Sequence, residues 1–193
     1  NSKGGRRARH ARKSYQPREW LGGRLDGKDR LQAMGIRTAS RVLTIANQKG
    51  GVGKTTTAIN LATALAAIEK TVLIIDLDPQ GNASTGLGID RESREVSTAD
   101  LLRGDASLGD ALVKTAVPRF YVAPSTLDLL GLEMEIASVS DRAFRLKKAI
   151  EEYNPRPGEG KPAFDYILID CPPSLNLLTI NAMAAAHALL VPL

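Results

Sequence analysis

Two unbroken apolar runs set the frame of this chain. Val42-Leu43-Thr44-Ile45-Ala46 is short and rich in β-branched residues. Thr71-Val72-Leu73-Ile74-Ile75-Asp76 lacks polar alternation, the pattern of a strand covered on both faces in a parallel sheet. Between them Gly50, Gly51 and Gly53 precede a stretch with Ala58, Leu61, Ala62, Leu65 and Ile68 at helical spacing. The pattern predicts strand, glycine loop, helix and strand, which is a βαβ crossover.

Further along, Phe120-Tyr121-Val122-Ala123 ends at Pro124 as a short strand. Ala143, Leu146, Ile150 and Tyr153 mark a helix behind a Ser140/Asp141 cap. Residues 154–163 carry Pro155, Pro157, Gly158, Gly160 and Pro162 and read as an exposed loop. It leads into the buried strand Tyr166-Ile167-Leu168-Ile169-Asp170, which stops at Pro172-Pro173. A helix from about Ser174 to His187 comes next, then Ala188-Leu189-Leu190-Val191-Pro192 opens what reads as another buried, central strand. The chain ends two residues after Val191 and begins at Asn1, so a fragment is expected, with the fold incomplete at its C-terminal end.

Composition narrows the class. With 193 residues and 43% apolar content, the chain can bury one α/β core. No apolar run approaches the roughly 20 residues of a membrane helix, and no secretory leader is visible, so a soluble, cytoplasmic protein is expected. Cys171 is the single cysteine, which leaves neither an internal disulfide nor a zinc module available. Residues 1–41 hold twelve Lys/Arg against three Asp/Glu, whereas residues 42–193 hold 14 against 18, so the basic character belongs to the N-terminal segment. Residues 1–40 are therefore expected to form a basic, disordered arm, read either as a tether to nucleic acid or another anionic surface, or as a solvated extension. The ordered domain is expected over 41–193.

The candidate chemistry lies in the glycine loop. Gly50-x-x-Gly53-Lys54-Thr55 sits between a predicted strand and a predicted helix, the context a phosphate-binding loop requires. Gly50, Gly51, Val52 and Gly53 let the backbone wrap with its N–H groups inward. Lys54 reaches the β/γ-phosphates, the Thr55 hydroxyl is a Mg²⁺ ligand, and Thr56 donates to the α-phosphate. Asp170 and Asp76 end buried strands, with Asp78 two residues on; in a parallel sheet the carboxyl ends of strands form the ligand crevice. Such a carboxylate cluster beside a triphosphate calls for a cation, and Mg²⁺ is expected on Thr55 and, through water, on Asp170. A loop cap remains the simpler reading of any one aspartate.

Three motifs together resemble a known family. KGGVGKTT at Lys49–Thr56, DLDPQGNAS at Asp76–Ser84 and FDYILIDCPPSLNLLTINA at Phe164–Ala182 are similar to the ParA/Soj partition ATPases of the deviant Walker-A group. The resemblance implies a three-layer P-loop NTPase-type α/β fold with a mostly parallel central sheet, and an ATP-sandwiched homodimer. In that dimer Lys49 reaches the partner's phosphates, and Gly50 is small because the partner's backbone approaches there. It further implies that Asp76 and Asp170 tune the Mg²⁺ shell and that Asp78 positions or activates the attacking water, although Asp78 could simply cap the turn at Pro79-Gln80-Gly81. ATP, Mg²⁺, nonspecific DNA and a ParB-like centromere-binding protein are the implied cofactors and partners, in the cytoplasm and at the nucleoid. Cys171 and His187 are read as bland, the first as packing and the second as without a catalytic partner.

The leading expectation is thus a slow ATP hydrolase that acts as a dimerising switch in chromosome or plasmid segregation. Two alternatives stand beside it: a MinD-like membrane-switching ATPase, which the DLDPQGN segment disfavours, and a nucleotide-binding scaffold without turnover.

Overall fold

The computed structural model describes residues 40–155 and 159–193. The expected basic arm, up to residue 39, lies outside the described residues, as do Pro157 and Gly158 of the expected loop. Among the described residues six strands form one sheet: β1 (Arg41–Ile45), β2 (Val72–Asp76), β3 (Val113–Lys114), β4 (Phe120–Ala123), β5 (Tyr166–Asp170) and β6 (Ala188–Leu190). Their order across the sheet is β3-β4-β2-β5-β1-β6, all parallel except the β3–β4 pair. The helices are α1 (Lys54–Ala67), α2 (Asn82–Gly86), α3 (Thr98–Arg103), α4 (Leu129–Glu135), α5 (Arg145–Glu152) and α6 (Leu177–Ala185).

Why β2 shows no alternation is visible in its neighbours. Val72 and Ile74 point to one face, with Ala58, Ala62 and Ala66 of α1. Leu73 and Ile75 point to the other, with Leu102, Leu132, Leu146 and Leu177 from α3 to α6. Both faces of β2 are therefore covered, and the three-layer α/β architecture results. The three alanines on the inner stripe of α1 hold its axis close to the sheet, which fixes the loop in front of it against the ends of the central strands.

Several local expectations are corrected. Ile68 is 64% exposed because α1 ends at Ala67, where Glu69 turns into positive φ. The helix α5 begins at Arg145 after Phe144, without a side-chain cap; Asp141 instead forms an ion pair with Arg145 at 3.7 Å. The strand β6 pairs with β1 and is the last strand of the described sheet on that side. The short elements α2, α3, β3 and α4 are additions to the expected set. Of these, α3 has a sequence-visible start, the Ser97–Asp100 capping box, in which Ser97 Oγ accepts from Ala99 N–H and the Asp100 carboxylate accepts from Ser97 N–H.

Candidate functional site

The site forms where β1, β5 and β2 end side by side. In the parallel register Ile45 is opposite Asp170, and Asp170 is opposite Asp76, so both aspartates and the start of the glycine loop share one rim. The rim is pinned by backbone bonds that continue past the strands, from Cys171 N–H to Ile45 O at 3.2 Å and from Leu77 N–H to Asp170 O at 2.9 Å. Asn47 anchors the loop by donating to Pro192 O at 2.8 Å and accepting from Lys49 N–H at 2.9 Å.

Gly51 and Gly53 take φ of 74° and 80°, left-handed conformations that side-chain-bearing residues rarely adopt. Gly53 is also the N-cap of the 14-residue helix α1, which has no side-chain cap and no acidic residue in its first turn. The N–H groups at the start of α1 therefore have no intrahelical acceptor, and the positive end of the helix dipole faces the loop. Lys54 is buried, and its ammonium donates back across the loop to Lys49 O at 3.3 Å. Thr55 and Val52 are half-buried, whereas Lys49, Gly50, Gly51 and Thr56 are exposed. A Cβ at Gly50 would meet nothing within 4 Å, so no contact among the described residues demands a glycine there.

The three aspartates differ in how they are satisfied. One oxygen of Asp76 accepts from Ser84 N–H at 2.9 Å and Ser84 Oγ at 2.7 Å, and the other accepts from Asp78 N–H at 3.2 Å. Burial pushes its carboxyl up to about 6 against these bonds. Asp78 caps its own turn: Oδ1 accepts from Gln80 N–H at 2.9 Å and its carbonyl accepts from Gly81 N–H at 2.8 Å. Asp170 is fully buried, and neither carboxylate oxygen has a hydrogen bond of normal geometry. Burial raises its pKa to about 7; the nearby Thr55 hydroxyl and Lys54 ammonium oppose the rise, and Asp76 and Asp78 add to it.

An orphaned, buried carboxylate beside a threonine hydroxyl is a hard-oxygen pair that fits a divalent cation. No cluster of three or more His, Cys, Asp or Glu side chains that could hold a metal forms among the described residues. That sparse donor set matches Mg²⁺, which keeps waters and phosphate oxygens in its shell. Thr55 and Asp170 fit such an ion as they stand, while Asp76 accepts three hydrogen bonds from Ser84 and Asp78 and keeps one lone-pair site.

Residues that the sequence pattern leaves without a role are Ser84, Arg94, Thr98 and Ser125. Ser84 lies in the DLDPQGNAS motif, which is a signal, but Arg94 and Ser125 carry none. Cys171 is buried in the core with its thiol pushed up to about 12 by burial, an inert packing group. His187 accepts from Val42 N–H at 3.0 Å through Nδ1 and tacks the start of β6 to β1.

Residues 40–193 match the profile of an AAA-domain family. The chain is 56% identical to the chromosome partitioning protein ParA of Caulobacter vibrioides over 153 residues, covering 79% of this chain and 55% of that protein. It is 47% identical to the sporulation initiation inhibitor protein Soj of Bacillus subtilis over 152 residues, covering 79% and 57%. Among solved structures, cobyrinic acid a,c-diamide synthase from Mycobacterium smegmatis, with bound ATP analog and magnesium, superposes with a TM-score of 0.73 at 41% identity, covering 80% of this chain and 60% of that one. The chain spans a little over half the length of these curated relatives.

Proposed function

The chain belongs to the AAA-domain family and, within it, to the ParA/Soj type, and on that premise we propose that it is the nucleotide-binding half of an ATP-hydrolysing switch in chromosome or plasmid partition. The observation that carries this reading is Asp170, buried with neither oxygen in a hydrogen bond of normal geometry, at the foot of a glycine loop whose lysine and threonine are already in place. The M. smegmatis relative, which holds an ATP analog and magnesium, supports the same ligands for this chain.

In this reading the loop N–H groups and the α1 N-terminus bind the phosphates, Lys54 turns from Lys49 O to the β/γ-oxygens, and Thr56 meets the α-phosphate. Thr55 and Asp170 would hold Mg²⁺, with Asp76 orienting the rim behind them. Bound there, Mg²⁺ would supply positive charge against the negative charge of the phosphates. Asp78 has one oxygen tied to Gln80 and uses the other to orient the attacking water. Lys49 lies on the exposed crest of the loop, suited to act on the phosphates of a second copy across an ATP sandwich, and Gly50 leaves room for that copy's backbone. ATP then drives dimerisation and association with nonspecific DNA at the nucleoid, and a ParB-like partner triggers a hydrolysis that is slow without it.

The test is ATP turnover with Mg²⁺ in the full-length protein, alone, with DNA, and with DNA plus a ParB-like partner. Slow basal turnover that rises on adding the partner is expected. Bound nucleotide without turnover in every condition would replace the switch by a scaffold, and nucleotide-dependent binding to lipid vesicles by a membrane switch.

A further inference from the structure

We infer that Ser125, a residue outside the glycine loop, is the positioning residue that holds Asp78 in phase with the Asp76 rim, and that Arg94 locks Ser125 in place. The inference rests on the reading of Asp78 as the group that orients water.

The geometry is a closed circuit. Ser125 comes just after β4, the neighbour of β2, and is fully buried. Its hydroxyl donates to Asp78 O at 2.5 Å. Its N–H donates to Ser84 Oγ at 3.1 Å, and that hydroxyl donates to the Asp76 carboxylate. Its carbonyl accepts from Arg94 Nη1 at 2.9 Å. The hydroxyl and N–H of one serine thus join the Asp78 turn to the Asp76 side chain, and its carbonyl is held by Arg94. Arg94 anchors the other side of the circuit: its guanidinium also donates to Ile89 O at 2.8 Å and Thr85 Oγ1 at 2.7 Å, tying the end of α2 to the segment after β4.

The consequence concerns Asp78. Its peptide is held by Asp76 Oδ1 on the N–H side and by Ser125 and Gly81 on the carbonyl side. The Gly81 bond is local and moves with the turn, so among the described residues Ser125 is the tertiary hold on that carbonyl. Without it, the turn can rotate about the Asp76 bond, and the carboxylate shifts relative to the loop while the loop itself is untouched. A displacement of about 1 Å in an orienting group lowers a rate by up to roughly 100-fold. The hydrogen bonds of Ser125 go to Asp78, Ser84 and Arg94, none of which holds phosphate or Mg²⁺ in the proposed function, so nucleotide affinity is spared.

The experiment is a double-mutant cycle in the full-length protein. Ser125→Ala and Ser125→Cys, the second nearly preserving volume with a weaker donor, are each made alone and with Asp78→Ala. Nucleotide Kd, KM and kcat are measured with Mg²⁺. Both serine variants should lower kcat about tenfold with KM and Kd changed less than about twofold. In the Asp78→Ala background the serine change should have no further effect on kcat. An unchanged kcat in the folded single variants, or equal losses with and without Asp78, would overturn the positioning role. If Asp78→Ala itself leaves turnover intact, the reading of Asp78 fails instead, and if no variant or parent binds nucleotide, the proposed function does.

Discussion

Asp76 and Asp170 are register partners on adjacent parallel strands, yet one accepts three hydrogen bonds and the other accepts none of normal geometry. The strand pairing gives both the same depth and the same rim, so the difference comes from the segment that leaves each strand. After β2 the chain turns back at Gly81 and brings Ser84 over Asp76. After β5 it leaves through Pro172 and Pro173, which have no N–H to offer. The first aspartate is tied into the segment that follows its strand, and the second is not.

That asymmetry predicts an unusual pH dependence for the ligand-free protein. The folded-state pKa values of Asp170 and Asp76 lie near 7 and 6, above the ordinary 3.8. Between about pH 4 and pH 7 the folded state holds more protons than the unfolded chain, so stability falls as pH rises through this window. Thermal melts without nucleotide or Mg²⁺ should show a higher midpoint at about pH 5 than at about pH 8. Asp170→Asn should remove most of the slope and stabilise the free protein at the higher pH by about 2 kcal/mol.

The two loop lysines should separate cleanly. Lys54 is buried, and its hydrogen bond among the described residues is to Lys49 O, so the fold makes little use of it. Lys54→Ala should weaken nucleotide binding on the order of 100-fold, with the thermal midpoint of the free protein little changed. Lys49 lies exposed on the crest. Lys49→Ala should leave the affinity of the monomer for nucleotide within about twofold, while abolishing ATP-dependent dimerisation in light scattering and turnover with it. Loss of monomer binding in Lys49→Ala would place that lysine in its own chain's site.

Much of this site was legible in the sequence because its parts are local. The apolar runs at Val42–Ala46, Thr71–Asp76 and Tyr166–Asp170 lead into glycine, aspartate or proline, and a five-residue run has few ways to be buried on both faces. The loop lysine and threonine carry their chemistry in their spacing. What the sequence hid was relational. The placement of β5 between β1 and β2, which makes Asp76 and Asp170 neighbours, depends on sheet order and not on any residue pattern. The Ser84–Ser125 bond joins positions 41 apart, and Arg94 reads as one more charged residue in a polar stretch. Ile68 misled because periodicity signals which side chains are apolar, not where a helix stops.

Two glycines test whether conformational demand or approach explains their identity. Gly81 has φ of 64°, and a Cβ there would clash with Arg94 Nη1 and lie 3.3 Å from Ser125 O. Arg94 cannot move aside cheaply, because its guanidinium is committed to Ser125, Ile89 and Thr85. Gly81→Ala combines left-handed strain with this clash and should destabilise the fold by about 2 kcal/mol or more, read by urea denaturation. Gly50 has open space around the added carbon and no positive φ. Gly50→Ala should leave stability within about 0.5 kcal/mol. Any loss of turnover or of ATP-dependent dimerisation in that variant then reports an approach from outside the chain, as a second copy across the nucleotide requires. Full activity in Gly50→Ala would remove the steric part of the sandwich argument and leave Lys49 to carry it alone.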